Sequence, residues 1–368
     1  MRFTRGPPIL RWPGFIVARR GGQFVVSASQ MPDVGVGDIL LRCDGAEIDA
    51  FAQSSLGRFE TDWSVEALRI NRAPLLFVDQ GNPFIAYPRQ CVFRRGTQES
   101  TRNLAWVAIE SSALSAAAQR PQRSFGVRPV AGGAVWITLP QLNAAAATFV
   151  DSLAPRAEEL RSARFIVVDV RGNGGGNSRI GDRLAEILGV PQPVTPLAQG
   201  GQHWRASEGN AAAVAAYADM PQFSEAERAG FIAQAAQIRE AIRAGGAFAP
   251  PLPAVRPAYS PAPTLEASPR TARFLIFTDY VCMSSCLIMV ERFRAGGAAQ
   301  IGAETSYSTR YLEVRGVALP SGMATISVLQ KVSLARADRF GPFQPGAAFA
   351  GDLDDDPAVE RWVLSLRE

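Results

Sequence analysis

Two short segments carry residue types that could do chemistry. RGNGGGN (171–177) directly follows the apolar run RFIVVDV, and VCMSSC (281–286) follows RFLIFTD. Glycines between a strand and a helix expose backbone amides with no side chain in the way, which suits them to receive negative charge. Three readings compete for the first segment. A dinucleotide fingerprint needs G-x-G-x-x-G, but after Gly172 and Gly174 the third place is Asn177, and a P-loop needs Gly-Lys, which is absent. A connection of no chemical importance is the second reading. The third is an oxyanion loop, where glycine leaves room for a substrate carbonyl to reach the amides. In the second segment, a serine pair at a helix start is by itself usually a cap. A nucleophilic serine in this place would gain from the helix dipole and the open amides of the first turn.

A serine hydroxyl also needs a neighbour to take its proton. Few groups here could do so, because His203 is the only histidine and Lys331 the only lysine. Arginine, which carries nearly all the basic charge, does not give up its proton. Imidazole has a suitable pKa, so His203 is a candidate base, against a structural histidine beside Trp204. Lys331 lies in the apparent strand LQKVSLA and could act if buried, although an exposed lysine is the commoner case. Glu304 or Glu313 could orient a base or a water. No G-x-S-x-G elbow exists, which disfavours a triad of the α/β-hydrolase kind.

The elements that must position these segments follow from periodicity. The first hundred residues alternate short apolar runs (GFIVA, QFVVSA, DILLRCDG, PLLFVDQG, FIAYP, QCVFRR) with turn signals, the pattern of a small β-rich domain. From about Ala131 the order becomes strand, helix, strand, helix, the signature of an α/β layer with a mainly parallel sheet. AVWITLP and RFIVVDV read as strands, 141–163 as a helix interrupted by Pro155, and SRIGDRLAEILGV as an amphipathic helix. Residues 208–244 read as helical, and the Pro- and Ala-rich stretch 249–270 as an irregular excursion. The acidic run 352–356 lacks calcium-loop spacing and reads as a helix start.

PDVGVGDILLRCDGAEIDAF resembles the centre of PDZ domains, with Gly37-Asp38 and Asp44-Gly45 at its turns. That resemblance implies a groove that binds peptide carboxy-termini by strand addition, with Gly14, Phe15 and Ile16 in the receiving loop. The segment from Asp169 to Gly176 resembles the Asp-Leu-Arg and glycine loop of carboxyl-terminal processing peptidases. FLIFTDYVCMSSCLIMVERF resembles their strand, turn and nucleophile helix, with Cys282, Cys286 and Leu287 replacing the usual serine, serine and glutamate. AQIGAETSYSTRY, ALPSGMATISV and the closing GPFQPGAAFAGDLDDDPAVERWVLSL follow in the family's order. The resemblance implies an α/β fold: a ClpP/crotonase-like core of stacked β-sheet and helices (109–368, with 205–270 as the excursion) behind a PDZ-like domain (1–108). It also implies Ser284 as nucleophile, with one oxyanion amide from the glycine pair Gly174-Gly175, Gly175 being the favoured donor, and the other from Ser285.

The family's catalytic lysine is missing. Its place falls on Thr309, beside Arg310, with Glu313 near a supporting glutamine. Tricorn-type relatives use a histidine placed ahead of the PDZ module, whereas His203 follows the glycine loop. Two functions therefore stand: a serine peptidase acting on proteins or peptides through an acyl-enzyme, and a catalytically silent relative that binds peptides or small apolar ligands.

The composition, 47% apolar and 20% charged, is that of a globular chain, and its 368 residues suit two domains. The net charge of +4 is scattered, which argues against nucleic acid. No run approaches the roughly 20 apolar residues of a membrane span. Cys43, Cys91, Cys282 and Cys286 lack paired zinc spacing, so neither a metal nor a cofactor is expected. Buried thiols are the favoured state, with a Cys43–Cys91 bridge open in an oxidising compartment. The opening segment does not read as a signal peptide. The location is therefore not written in the sequence: periplasmic or cell-envelope if a leader has been removed, otherwise cytoplasmic.

Overall fold

The computed structural model describes residues 2–3, 10–118, 122–191, 202–221, 223–250, 268–322, 324–333 and 341–367. Most of the opening segment and the larger part of the 249–270 excursion lie outside these residues.

A six-stranded sheet runs in the order Gly126–Val130, Ala134–Thr138, Phe165–Asp169, Phe274–Thr278, Ala299–Gly302, Ala347–Ala348. Its first pair is antiparallel and the remaining four pairs are parallel. The central strands Phe165–Asp169 and Phe274–Thr278 are buried at every residue. This accounts for their unbroken apolar sequence, since a parallel sheet is covered on both faces. Ile166, Val168 and Ile276 join the helices Ala144–Ser152, Ser178–Leu188 and Ser285–Ala295 in one core. Phe165, Val167, Leu275 and Phe277 face the other way and pack with Val359 and Val363 of the final helix Asp356–Ser365. The acidic run does start that helix: Asp355 accepts the Ala358 amide at 3.0 Å.

The final helix is also tied to the glycine loop. Arg171 is 3% and Asp169 1% exposed, and they form a bidentate pair (Nε–Oδ1 2.9 Å, Nη2–Oδ2 2.6 Å), while Arg171 Nη1 lies 2.9 Å from Asp356. Removing one partner strands the other charge in the interior. Arg171→Met is therefore expected to destabilise the chain by about 3–5 kcal/mol, measured as the loss of unfolding free energy in urea.

The N-terminal part is β-rich. The strands Phe15–Arg20, Gln23–Ser29, Ile39–Cys43, Gln90–Arg95 and Gln98–Asn103 pair in that order, all antiparallel. Their core is built on Phe15, Phe24, Leu40, Phe77 and Phe93. Two of the short apolar runs do not become strands of this sheet. PLLFVDQG makes a 3-10 turn, Ala73–Leu75, and one isolated bridge from Asp79 to Arg11, and FIAYP has no regular structure. Pro74 and Pro83 lack the amide a ladder needs, and Leu76 and Phe77 reach the core from the turn instead. A helix not foreseen, Glu66–Arg72, packs along this unit.

Thiols are not the state of the cysteines. Cys43 and Cys91 stand opposite each other in register and are bridged, with Cα atoms 4.1 Å apart. Cys282 and Cys286 are bridged as well.

A third sheet joins Arg2–Phe3, Ala324–Ser333, Gln202–Arg205 and Phe248–Ala249, with Tyr311–Ala318 forming a hairpin on Ala324–Ser333. The helices Glu208–Ala216 and Glu225–Arg243 cover it around Trp204, Val214 and Ile238. Among the described residues, no helix is long and apolar enough to cross a membrane.

Candidate active site

Asp169 and Phe277 are register partners on adjacent parallel strands, so both strands leave the sheet at the same edge. Loops at the carboxyl ends of neighbouring parallel strands form a crevice where such sheets place their ligands. Here the two loops are the glycine run 172–176 and the serine turn 280–285.

Their contact is close. A methyl group built on Gly175 would stand 2.8 Å from Ser284 Cβ, 2.8 Å from the Met283 carbonyl oxygen and 3.0 Å from the Ser285 amide nitrogen. On Gly176 it would stand 2.2 Å from the Leu142 carbonyl oxygen. Glycine is thus required on both sides of the loop, since no side chain fits and both residues hold positive φ (+100° and +131°).

Hydrogen bonds fix the approach. Asn173, fully buried, donates from Nδ2 to the Leu139 carbonyl (2.8 Å), accepts the Gly175 amide on Oδ1 (2.9 Å) and accepts the Met283 amide on its own carbonyl (3.4 Å). Asp279 accepts the Gly172 amide on Oδ2 (2.9 Å) and the Val281 amide on Oδ1 (3.0 Å), linking the two loops through one carboxylate. Ser285 Oγ donates to the Gly176 carbonyl at 2.5 Å.

Ser284 sits at the N-cap of the helix Ser285–Ala295, with φ 54° and ψ −123°. Positive φ in a residue with a side chain costs about 1–3 kcal/mol and persists only where the surroundings enforce it. Its side chain is exposed and makes no capping bond, so the hydroxyl is not consumed by the helix. Among the described hydrogen bonds, none occupies the amides of Ser285, Gly174 or Gly176. The Gly175 amide is turned inward to Asn173. This departs from the expectation that Gly175 donates to an oxyanion, and of the expected donors only the amides of Gly174 and Ser285 are without a described bond.

The remaining expected residues are placed elsewhere. Thr309 Oγ1 closes a local turn, receiving the Tyr311 amide at 2.9 Å and lying 3.0 Å from the Tyr311 carbonyl. Lys331 Nζ is 2.7 Å from Glu313 Oε1 and 4.2 Å from the Trp204 ring centre. Glu304 Oε1 accepts the Ala67 amide from the N-terminal unit (2.7 Å), and its Oε2 accepts from Gln344 (2.7 Å). His203 is half-buried on the strand Gln202–Arg205, opposite Val332. No described hydrogen bond joins any of these to Ser284. Gly14 holds positive φ and its carbonyl accepts the Gln30 amide at 2.7 Å, while Phe15 and Ile16 are buried at the start of their strand.

Tyr280, at the foot of the serine turn, was not anticipated. Burial, with the Glu304, Glu66 and Asp279 carboxylates adding to it, pushes its phenol above the usual range. It is therefore protonated at neutral pH, a donor rather than a base. Asn173, Asp279 and the Cys282–Cys286 bridge were also missed. Their sequence signals were an asparagine inside the glycine run, an aspartate directly after the strand, and two cysteines four apart around the serine.

No family model matches the sequence, and no curated protein does. Solved structures do match. Mature CPAF is 14% identical over 100% of this chain and 84% of its own, with a TM-score of 0.61. Mature CPAF complexed with lactacystin gives the same identity and TM-score over 100% and 85%. The photosystem II D1 C-terminal processing protease is 13% identical over 98% and 78%, at a TM-score of 0.37 that is too low to weigh. The chain thus shares an α/β fold with mature CPAF, with 100% of this chain covered.

Proposed function

We propose that the chain is a serine peptidase that cleaves peptide bonds of proteins or peptides through an acyl-enzyme on Ser284. The observation that carries this reading is the meeting of an exposed, uncapped serine at positive φ with a glycine loop that tolerates no side chain. In this scheme the Ser284 oxygen attacks the scissile carbonyl, and the amides of Ser285 and Gly174 receive the developing negative charge. The β-rich N-terminal unit acts as a PDZ-like module that presents unstructured chain ends, using the edge near Gly14, Phe15 and Ile16.

His203 is proposed as the proton acceptor on chemical grounds, as the only imidazole in the chain. Its strand also adjoins the hairpin that grows out of the segment bonded to the serine turn: the Ser306 amide donates to the Cys282 carbonyl at 3.0 Å, and Val332 is register partner to both Tyr311 and His203. Glu304 and Glu313 are proposed only as supports.

A second reading, a silent relative that binds peptides or small apolar ligands, is favoured by one observation, that Lys331, the only lysine, is held in an ion pair with Glu313. By the sequence resemblance the family's lysine place falls on Thr309.

Incubation with an unfolded, pre-alkylated polypeptide separates the two readings, with new termini read by mass spectrometry. The peptidase reading expects discrete new termini, whereas bound but uncut polypeptide favours the second reading. His203→Ala is expected to lower kcat/KM by about 10²–10⁴-fold. Unchanged hydrolysis in that variant removes His203 as the base.

A further inference from the structure

The Cys282–Cys286 bridge spans the three residues Met283, Ser284 and Ser285. Both cysteines are fully buried and belong to the main core, packed with Met289, Val290 and Phe293 of the same helix. Each end of the bridged loop is anchored separately. The Cys282 carbonyl accepts the Ser306 amide at 3.0 Å, and Cys286 lies in the first turn of the helix, its amide donating to the Met283 carbonyl at 3.1 Å. Between these anchors Ser284 is held at positive φ. The helical and extended regions cost a serine less, so positive φ here needs enforcing, and the bridge adds to the Met283–Asn173 and Ser285–Gly176 hydrogen bonds in resisting relaxation toward them. Such relaxation rotates Ser284 Oγ and the Ser285 amide away from the glycine loop.

We propose that the Cys282–Cys286 disulfide is a positioning element of the active site. It clamps the nucleophile turn in the conformation that aims the Ser284 hydroxyl and the Ser285 amide at one substrate carbonyl. The proposal rests on the reading of Ser284 as nucleophile and adds a condition to it, that the site is assembled only when this bridge is formed. A dithiol such as dithiothreitol breaks the S–S bond by two thiol–disulfide exchanges. The bridge takes up two electrons and two protons to give two thiols, and the dithiol is oxidised to a cyclic disulfide. With the bridge open, the competent turn is one conformer among several, and the apparent rate falls by the fraction that remains competent. Disulfides of this kind form and persist in oxidising compartments, so the serine is armed there and idle in a reducing one.

The test uses the full chain carrying Cys43→Ser and Cys91→Ser, so that a single bridge remains. Those residues lie in the N-terminal unit, and their replacement is expected to lower stability without changing the chemistry at Ser284. Three states are compared: oxidised, reduced by dithiothreitol, and reoxidised after removal of the dithiol. The rate of fluorophosphonate attachment at Ser284 and the kcat and KM for a peptide are measured in each. The expected result is a fall of about 10–100-fold in labelling rate and kcat on reduction, with KM little changed, and recovery on reoxidation. Far-UV circular dichroism is expected to stay constant across the three states.

Cys282→Ser with Cys286→Ser is expected to behave like the reduced form. If that variant does not fold, the reversible reduction carries the test alone. Equal labelling and kcat in the oxidised and reduced chains overturn the proposal. So do free thiols at 282 and 286 in the chain as isolated under oxidising conditions. If the oxidised chain is not labelled at all, the nucleophile reading itself fails, a result distinct from labelling that is indifferent to the bridge.

Discussion

Ser284→Ala is expected to reduce turnover of a peptide substrate by about 10⁴–10⁶-fold, the range lost when the nucleophile of a serine peptidase is removed. The same variant is expected to fold normally. The side chain is exposed and makes no cap, so its loss breaks no hydrogen bond within the chain. Alanine keeps the Cβ and with it the positive-φ cost, so the unfolding free energy should shift by less than about 0.5 kcal/mol. Turnover lost at constant stability is the signature of a group that touches the substrate. A merely structural serine would show the reverse, with a shifted denaturation midpoint and unchanged turnover.

Gly175→Ala is the second large effect. The added methyl would stand 2.8 Å from both Ser284 Cβ and the Met283 carbonyl oxygen, closer than real contacts allow, and it would sit on backbone held at φ +100°. Neither neighbour can yield cheaply. Met283 is held by the bond from its amide to Asn173, and the residues on either side of Ser284 are fastened by the disulfide and by the Ser285 bond to Gly176. The glycine loop and the serine turn must therefore part by several tenths of an ångström or more. The alignment of the hydroxyl with the amides proposed to receive the oxyanion is then lost, and kcat is expected to fall by about 10²–10³-fold, the scale of losing one oxyanion donor. Stability is expected to fall too, by about 1–3 kcal/mol, for overpacking and the unfavourable φ. Steady-state kinetics beside a urea titration separate the two losses. A variant with full kcat would show that this close approach has no part in the chemistry.

The parts of the fold that were legible in the sequence are those set by local chemistry. RFIVVDV and RFLIFTD lack alternation because both faces of their strands are buried, and this made them legible as strands of the α/β layer, though not their central place in the sheet. The glycine run was legible because three consecutive glycines after a strand have few uses apart from close approach, and the structure shows the approach at Gly175 and Gly176. Asp355 capping the last helix follows from a side chain and an amide three residues apart.

Other features depend on distance, which sequence does not carry. Cys43 and Cys91 lie 48 residues apart and bridge because strand register sets them face to face. PLLFVDQG had the composition of a strand, and its residues fill the core from a 3-10 turn instead. The inward turn of the Gly175 amide depends on where the Asn173 side chain points. The proton acceptor is the extreme case, since the imidazole of His203 and a neutral amine on Lys331 are both suitable by type and only their separation from Ser284 decides between them.

The central claim is that the hydroxyl of Ser284 is a reactive nucleophile facing the glycine loop. Fluorophosphonate treatment of the native, oxidised chain tests it most directly, with the adduct located by peptide mapping across residues 274–292. The account predicts one adduct, on Ser284, that is absent when the chain is unfolded before treatment and absent from Ser284→Ala. An unmodified Ser284 in the folded chain, or an adduct on another serine that survives in Ser284→Ala, would contradict it.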